Sequence, residues 1–177
     1  EFLERIKNKK AKIGVIGLGY VGLPLAILLA QKGFSVTGFI RNEKKASLLK
    51  KKTKGLLLVE IFAKETLQNQ DVLIICVQTP VTENKSPDLT DLKEVAKVLS
   101  QINLLGKLII NESTVAPFTT REVLGNLGKK YFLACSPERI DPGNKTKTTQ
   151  NIPKVVGGKD KESLILAKTL YQQILTG

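Results

Sequence analysis

The sequence predicts an α/β fold built on a doubly wound, mostly parallel sheet. Three observations predict it: short apolar runs alternate with amphipathic stretches, a glycine-rich turn follows the first run, and polar loops follow three of the later runs. The strong strand candidates are 11–16, 35–40, 72–77, 108–110 and 131–134, with 56–59 and 154–156 weaker. Helical spacing is expected over 21–32, 43–52, 61–69, 89–102, 119–127 and 161–174. Gly33 follows the first of these helices, where a left-handed residue is wanted, and Asp88 or Thr90 is placed to cap the fourth. Parallel neighbours joined by helices need right-handed crossovers, so repeated strand–helix units lead to this topology. At 177 residues the chain is expected to form one domain, 1–177.

Composition narrows the classes of function. No apolar run has the 18 or so residues that a membrane span requires, and the first ten residues lack a signal-like apolar core, so a cytoplasmic location is expected. Histidine is absent and the two cysteines, Cys76 and Cys135, stand alone; zinc constellations and histidine-assisted nucleophiles are excluded within this chain, and no metal is expected. Lys and Arg number 28 against 16 acidic residues, a net charge of +12. Arginine occurs only at 5, 41, 121 and 139, which argues against sequence-reading nucleic-acid contacts and leaves a solvated lysine-rich surface or an attraction for anions.

The chemistry begins at Gly17, Gly19 and Gly22, a G-x-G-x-x-G run that directly follows a strand and opens a helix. Gly17 permits the tight turn, Gly19 lets backbone approach a pyrophosphate, and Gly22 allows close helix–strand packing, while the helix N-terminus attracts the anion. Pro24 falls in the first helical turn, where its missing amide costs little. With Tyr20 and Val21, these glycines make up a turn expected to hold a dinucleotide in a Rossmann-type domain. Such sites place an acid about 20 residues onward for the ribose hydroxyls. Here Ile40 occupies that place with Arg41 beside it. Arg41 could pair with a 2′-phosphate, which brings NADP in beside NAD, or could stack near adenine or face solvent.

Three later strands each lead into polar loops: 78–81, 111–115 and 135–139. Ligands of doubly wound sheets sit beyond the carboxyl ends of the strands, so these loops outline a site beside the glycine turn, although turn chemistry also accounts for Ser, Thr and Pro in any one of them. Taken in order, Gly17-Leu18-Gly19-Tyr20-Val21-Gly22-Leu23-Pro24, Cys76-Val77-Gln78-Thr79-Pro80, Glu112-Ser113-Thr114-Val115, Ser136-Pro137-Glu138-Arg139 and Ile152-Pro153-Lys154-Val155-Val156-Gly157-Gly158 resemble the motifs of the UDP-glucose/UDP-N-acetyl-hexosamine 6-dehydrogenases over nearly the whole chain.

The resemblance implies a two-step oxidation of a UDP-sugar at C6, from alcohol through an aldehyde and a cysteine thioester to the uronate, with NAD as acceptor. It implies that Thr114 and Glu138 are catalytic, Thr114 also helping to position the nicotinamide end, that Thr79 and Pro80 line the cofactor, and that Lys45 reaches its adenosine side. Pro142 stands where UDP-glucose enzymes carry a second glutamate, a form that looks like the UDP-N-acetylglucosamine or UDP-N-acetylmannosamine branch, the former favoured. The segment between Ile40 and Asp71 is shorter than the family's. The resemblance also implies a homodimer or larger assembly and a nucleophilic cysteine beyond Gly177, so the chain as it stands is expected to bind cofactor without turnover. A non-catalytic dinucleotide- or polyanion-binding module, and a hydroxyacid or 6-phosphogluconate type dehydrogenase, are the alternatives.

Overall fold

The computed structural model describes residues 1–128, 130–139 and 153–175. A seven-stranded sheet runs in the order β3-β2-β1-β4-β5-β6-β7. Its strands are β1 (Lys12–Ile16), β2 (Ser35–Ile40), β3 (Leu58–Ile61), β4 (Val72–Ile75), β5 (Leu108–Asn111), β6 (Phe132–Cys135) and β7 (Gly157–Gly158). Neighbouring strands are parallel except β7, which pairs antiparallel to β6 through Cys135↔Gly157 and Ala134↔Gly158. The order reverses between β1 and β4, and that switch opens a crevice at the carboxyl ends.

Strand residues alternate between two apolar layers. Ile13, Val15, Val72, Ile74, Leu108, Ile110 and Ala134 face one layer, whereas Ile16, Leu73, Ile75, Ile109 and Leu133 face the other. The first layer is covered by α1 (Phe2–Lys7), α2 (Gly22–Gln31), α3 (Glu43–Thr53) and α7 (Lys161–Gln172); the second by α4 (Lys64–Leu67), α5 (Thr90–Leu99) and α6 (Thr119–Leu124). Both faces of the sheet are thus dry, which is why the central runs read as continuously apolar rather than alternating.

Several expectations shift. The helix expected over 61–69 shortens to α4 because 58–61 continues the strand beside β2, with Phe39 opposite Glu60 and Ile40 opposite Ile61. The weak strand at 154–156 gives way to β7, which begins directly after it, where two glycines lie against β6. α1 carries no strong sequence signal; Ile6 anchors it in the core, and Arg5 Nη2 meets Asp71 Oδ2 at 2.6 Å. Gly33 follows α2 at φ +97°, as the left-handed position requires. Neither Asp88 nor Thr90 is the N-cap of α5; that residue is Leu89, and Asp88 Oδ1 instead accepts the Thr90 amide at 2.9 Å. Among the described residues no helix is long and apolar enough to cross a membrane.

Candidate functional site

The glycine turn is held against β4 by sterics. Gly17 sits at φ +94°, and a Cβ there would lie 2.6 Å from the carbonyl oxygen of Cys76. A Cβ on Gly22 would fall 1.8 Å from the carbonyl oxygen of Gly17. Around Gly19, by contrast, no atom lies within 4 Å of a built Cβ, so this backbone faces open space. α2 starts here without a side-chain cap. The amides of Leu23 and Leu25 already donate to Gly19 O and Val21 O and Pro24 has none, so an anion here meets the open backbone at Gly19 and the partial positive charge of the helix end, and the turn fits the pyrophosphate of a dinucleotide.

Two clefts meet at the turn, sharing Gly19, Cys76, Val77 and Gln78. The first, about 260 Å³, extends past Ile40, Arg41, Asn42 and Lys45 to Asp91 and Glu94 of α5. Arg41 Nη2 donates to Asp91 Oδ1 at 2.7 Å and Nη1 to Glu94 Oε2 at 2.5 Å, and the bond to Asp91 leads in raising the guanidinium's pKa. Lys45 donates its backbone amide to Asn42 Oδ1, the N-cap of α3. Ile40 leaves the β2 end without a carboxylate, but two carboxylates reach the same cleft from α5.

The second cleft, about 180 Å³, is walled by Tyr20 and Val21 from the turn and by the loops that follow β4, β5 and β6. Backbone and side-chain bonds tie these loops together. Ser113 Oγ donates to Val77 O at 2.8 Å and Thr79 Oγ1 to Thr114 O at 2.6 Å, while the Glu138 amide donates to Glu112 O at 3.3 Å. Thr79, Thr114 and Glu138 consequently stand on one wall system. Pro80 does not line either cleft; its carbonyl accepts from the Asp88 amide at 2.8 Å. Gly22 serves packing beneath the turn rather than the cleft surface. Pro142 lies outside the described residues.

Behind the second cleft Glu138 joins a buried group whose contacts the sequence does not show. Lys154 Nζ is 2.7 Å from Glu112 Oε2 and 3.3 Å from Glu138 Oε2, and the Tyr171 hydroxyl of α7 donates to Glu112 Oε1. Burial pushes the Glu112 carboxyl above its usual range of about 4.5, with Lys154 opposing the rise, and burial together with Glu112 drives the Tyr171 phenol well up. Cys76 is buried and its thiol is likewise raised by burial, the setting of a packed side chain rather than a nucleophile.

The raised Glu112 value has a pH signature. Below about 4.5 Glu112 is protonated folded and unfolded; as pH rises to its folded value only the unfolded chain loses the proton, so stability falls through that window. Urea unfolding from about pH 4 to 8 is expected to show this slope in the wild type and its loss in Glu112→Gln.

The family model described as "UDP-glucose/GDP-mannose dehydrogenase family, NAD binding domain" matches residues 11–60 and 46–175. A UDP-N-acetyl-D-mannosamine dehydrogenase of Methanocaldococcus jannaschii is 38% identical over 184 residues, covering 94% of this chain and 43% of that protein. A UDP-N-acetyl-D-glucosamine 6-dehydrogenase of Pseudomonas aeruginosa is 35% identical over 189 residues, covering 95% and 44%. Among solved structures, a UDP-D-ManNAc dehydrogenase from Pyrococcus horikoshii superposes with a TM-score of 0.81 at 33% identity, covering 94% of this chain and 45% of that one. The chain thus spans less than half the length of these relatives.

Proposed function

Because the chain belongs to the UDP-glucose/GDP-mannose dehydrogenase family, as its NAD-binding domain, we propose that it binds NAD for the oxidation of a UDP-N-acetyl-hexosamine at C6. The observation that carries this reading is the continuous crevice from Lys45 across Gly19 to Glu138. In it the adenosine end lies along Ile40, Arg41 and Lys45, the pyrophosphate over Gly17 and Gly19 at the start of α2, and the nicotinamide end beside Tyr20, Thr79 and Thr114. NAD, when bound, supplies the hydride acceptor. Thr114 and Glu138 then act at the reacting end, Glu138 as a base once ligand has displaced water from the cleft. Pro142, in place of a second glutamate, supports a UDP-N-acetyl-hexosamine over UDP-glucose, and of the two candidates UDP-N-acetylglucosamine is the one we favour over UDP-N-acetylmannosamine.

Arg41 supports NAD over NADP. Its guanidinium is already engaged by Asp91 and Glu94, and a 2′-phosphate would meet both carboxylates. Like charges placed together at a binding surface are strongly disfavoured. Calorimetric titration of this chain is expected to show NAD binding at least about tenfold tighter than NADP, a difference of about 1.4 kcal/mol. Asp91→Asn combined with Glu94→Gln is expected to narrow that gap by freeing Arg41 for phosphate. Binding of neither dinucleotide, with salt-sensitive binding to a polyanion, would overturn the enzyme reading in favour of a non-catalytic module.

A further inference from the structure

Glu138 has to be held on the cleft wall if it is to meet a ligand in one orientation, and the buried group behind the wall is built to hold it. The Lys154 side chain is 2% exposed, with Glu112 at 0% and Glu138 at 6%. Charges taken so far out of water cost several kcal/mol each unless good geometry and further hydrogen bonds offset the loss. Those bonds are present. Glu112 turns one oxygen to the Tyr171 hydroxyl and the other to Lys154; Glu138 turns one oxygen to the Arg139 amide at 2.7 Å and the other to Lys154. Lys154 Nζ also lies over the Tyr171 ring, 5.3 Å from its centroid. Arg139 Nη1 donates to Pro153 O at 3.3 Å, joining the same two chain segments a second time.

The division of labour follows from which residues face the cleft. Glu112 and Glu138 line it, whereas Lys154 does not. A single ammonium spans carboxylates from two different loops, one after β5 and one after β6, and the first of these, Glu112, also accepts from a tyrosine of α7. We infer that Lys154 is a positioning residue for Glu138, and that it acts through that carboxylate without meeting the ligand itself. Stability alone gives little reason for the arrangement, since apolar side chains of similar volume serve at least as well as a buried ion pair. The inference rests on the proposed assignment of Glu138 to the reacting end of the cleft.

The test reads the Glu138 carboxylate directly in this chain labelled with 13C at glutamate Cδ, its resonance assigned by its loss in Glu138→Gln. Lys154→Met is expected to displace the resonance from its wild-type position, and Lys154→Arg to return it most of the way. Glu112→Gln, which keeps the ammonium, is expected to leave it near wild type. Should Lys154→Met fail to fold, the double variant Glu112→Gln/Lys154→Met removes the charged pair together and is expected to show the same displacement. An unchanged Glu138 resonance in the variants lacking Lys154 would overturn the inference, as would a displacement in Glu112→Gln equal to that in Lys154→Met. NAD titration of the wild type, run beside these spectra, separates the two levels: absence of binding defeats the proposed function, whereas binding with an unmoved resonance defeats the role of Lys154 alone.

Discussion

Gly22→Ala is expected to be the most damaging single-methyl change at the glycine turn, because the new Cβ would fall 1.8 Å from the carbonyl oxygen of Gly17 and 3.0 Å from the Cβ of Cys76. The first of these neighbours is backbone, so the clash has no flexible side chain to absorb it. Relief requires α2 to move away from the β1–β4 junction, which also displaces the anion-binding turn. The cost is expected at about 3 kcal/mol or more, read as a fall in the urea midpoint, with loss of NAD binding in the same variant. Gly19→Ala supplies the contrast. Its Cβ meets nothing within 4 Å, so stability is expected to stay within about 0.5 kcal/mol of wild type while a methyl enters the path of the pyrophosphate. Calorimetry is expected to show NAD affinity reduced about tenfold there. Equal stability losses in the two variants would contradict this division between packing and binding.

Lys154→Met is expected to cost about 3–5 kcal/mol, the usual penalty for removing one partner from a buried ion pair. Two carboxylates with almost no exposure would lose their shared cation, and Glu112 would keep only the Tyr171 hydroxyl among its side-chain partners described here. Adding Glu112→Gln is expected to recover the share of the loss that belongs to Glu112, because a neutral amide in the same volume no longer demands a counter-charge, while Glu138 still lacks the ammonium. Urea unfolding of the two single variants and the double variant measures the coupling as a cycle. Additive losses would show that the ammonium and the Glu112 carboxylate do not act as a pair.

Both expectations rest on residues whose visibility in the sequence differs. Gly17, Gly19 and Gly22 announce themselves, since their spacing between a strand and a helix reflects local sterics that any chain making this turn must satisfy. The five central strands were legible for a similar reason: two covered faces favour apolar residues on both sides of the strand, so most of their positions are apolar. α1 and β7 were less so. A six-residue helix fixed by Ile6 and the Arg5–Asp71 pair, and a two-residue strand of glycines, owe their existence to distant neighbours.

At the site, the order of motifs carried Thr79, Thr114 and Glu138, and the structure gathers these three on the second cleft. Arg41 stands out beside Ile40 in the sequence, but nothing there pairs it with Asp91 and Glu94, which lie about 50 positions on in α5. In the sequence Lys154 stands in a weak strand candidate and a motif, and Tyr171 within a helical pattern, and neither position shows its partner. Their contacts join residues 42 to 59 positions apart: Lys154 with Glu112, Arg41 with Asp91 and Glu94, Tyr171 with Glu112. By itself, the sequence determined the doubly wound sheet and the glycine turn, because both follow from periodicity and backbone sterics within a few residues. Only the tertiary structure decided which charges meet, because that depends on which loops the strand order brings to the same edge and on how little water remains there to separate a carboxylate from its cation.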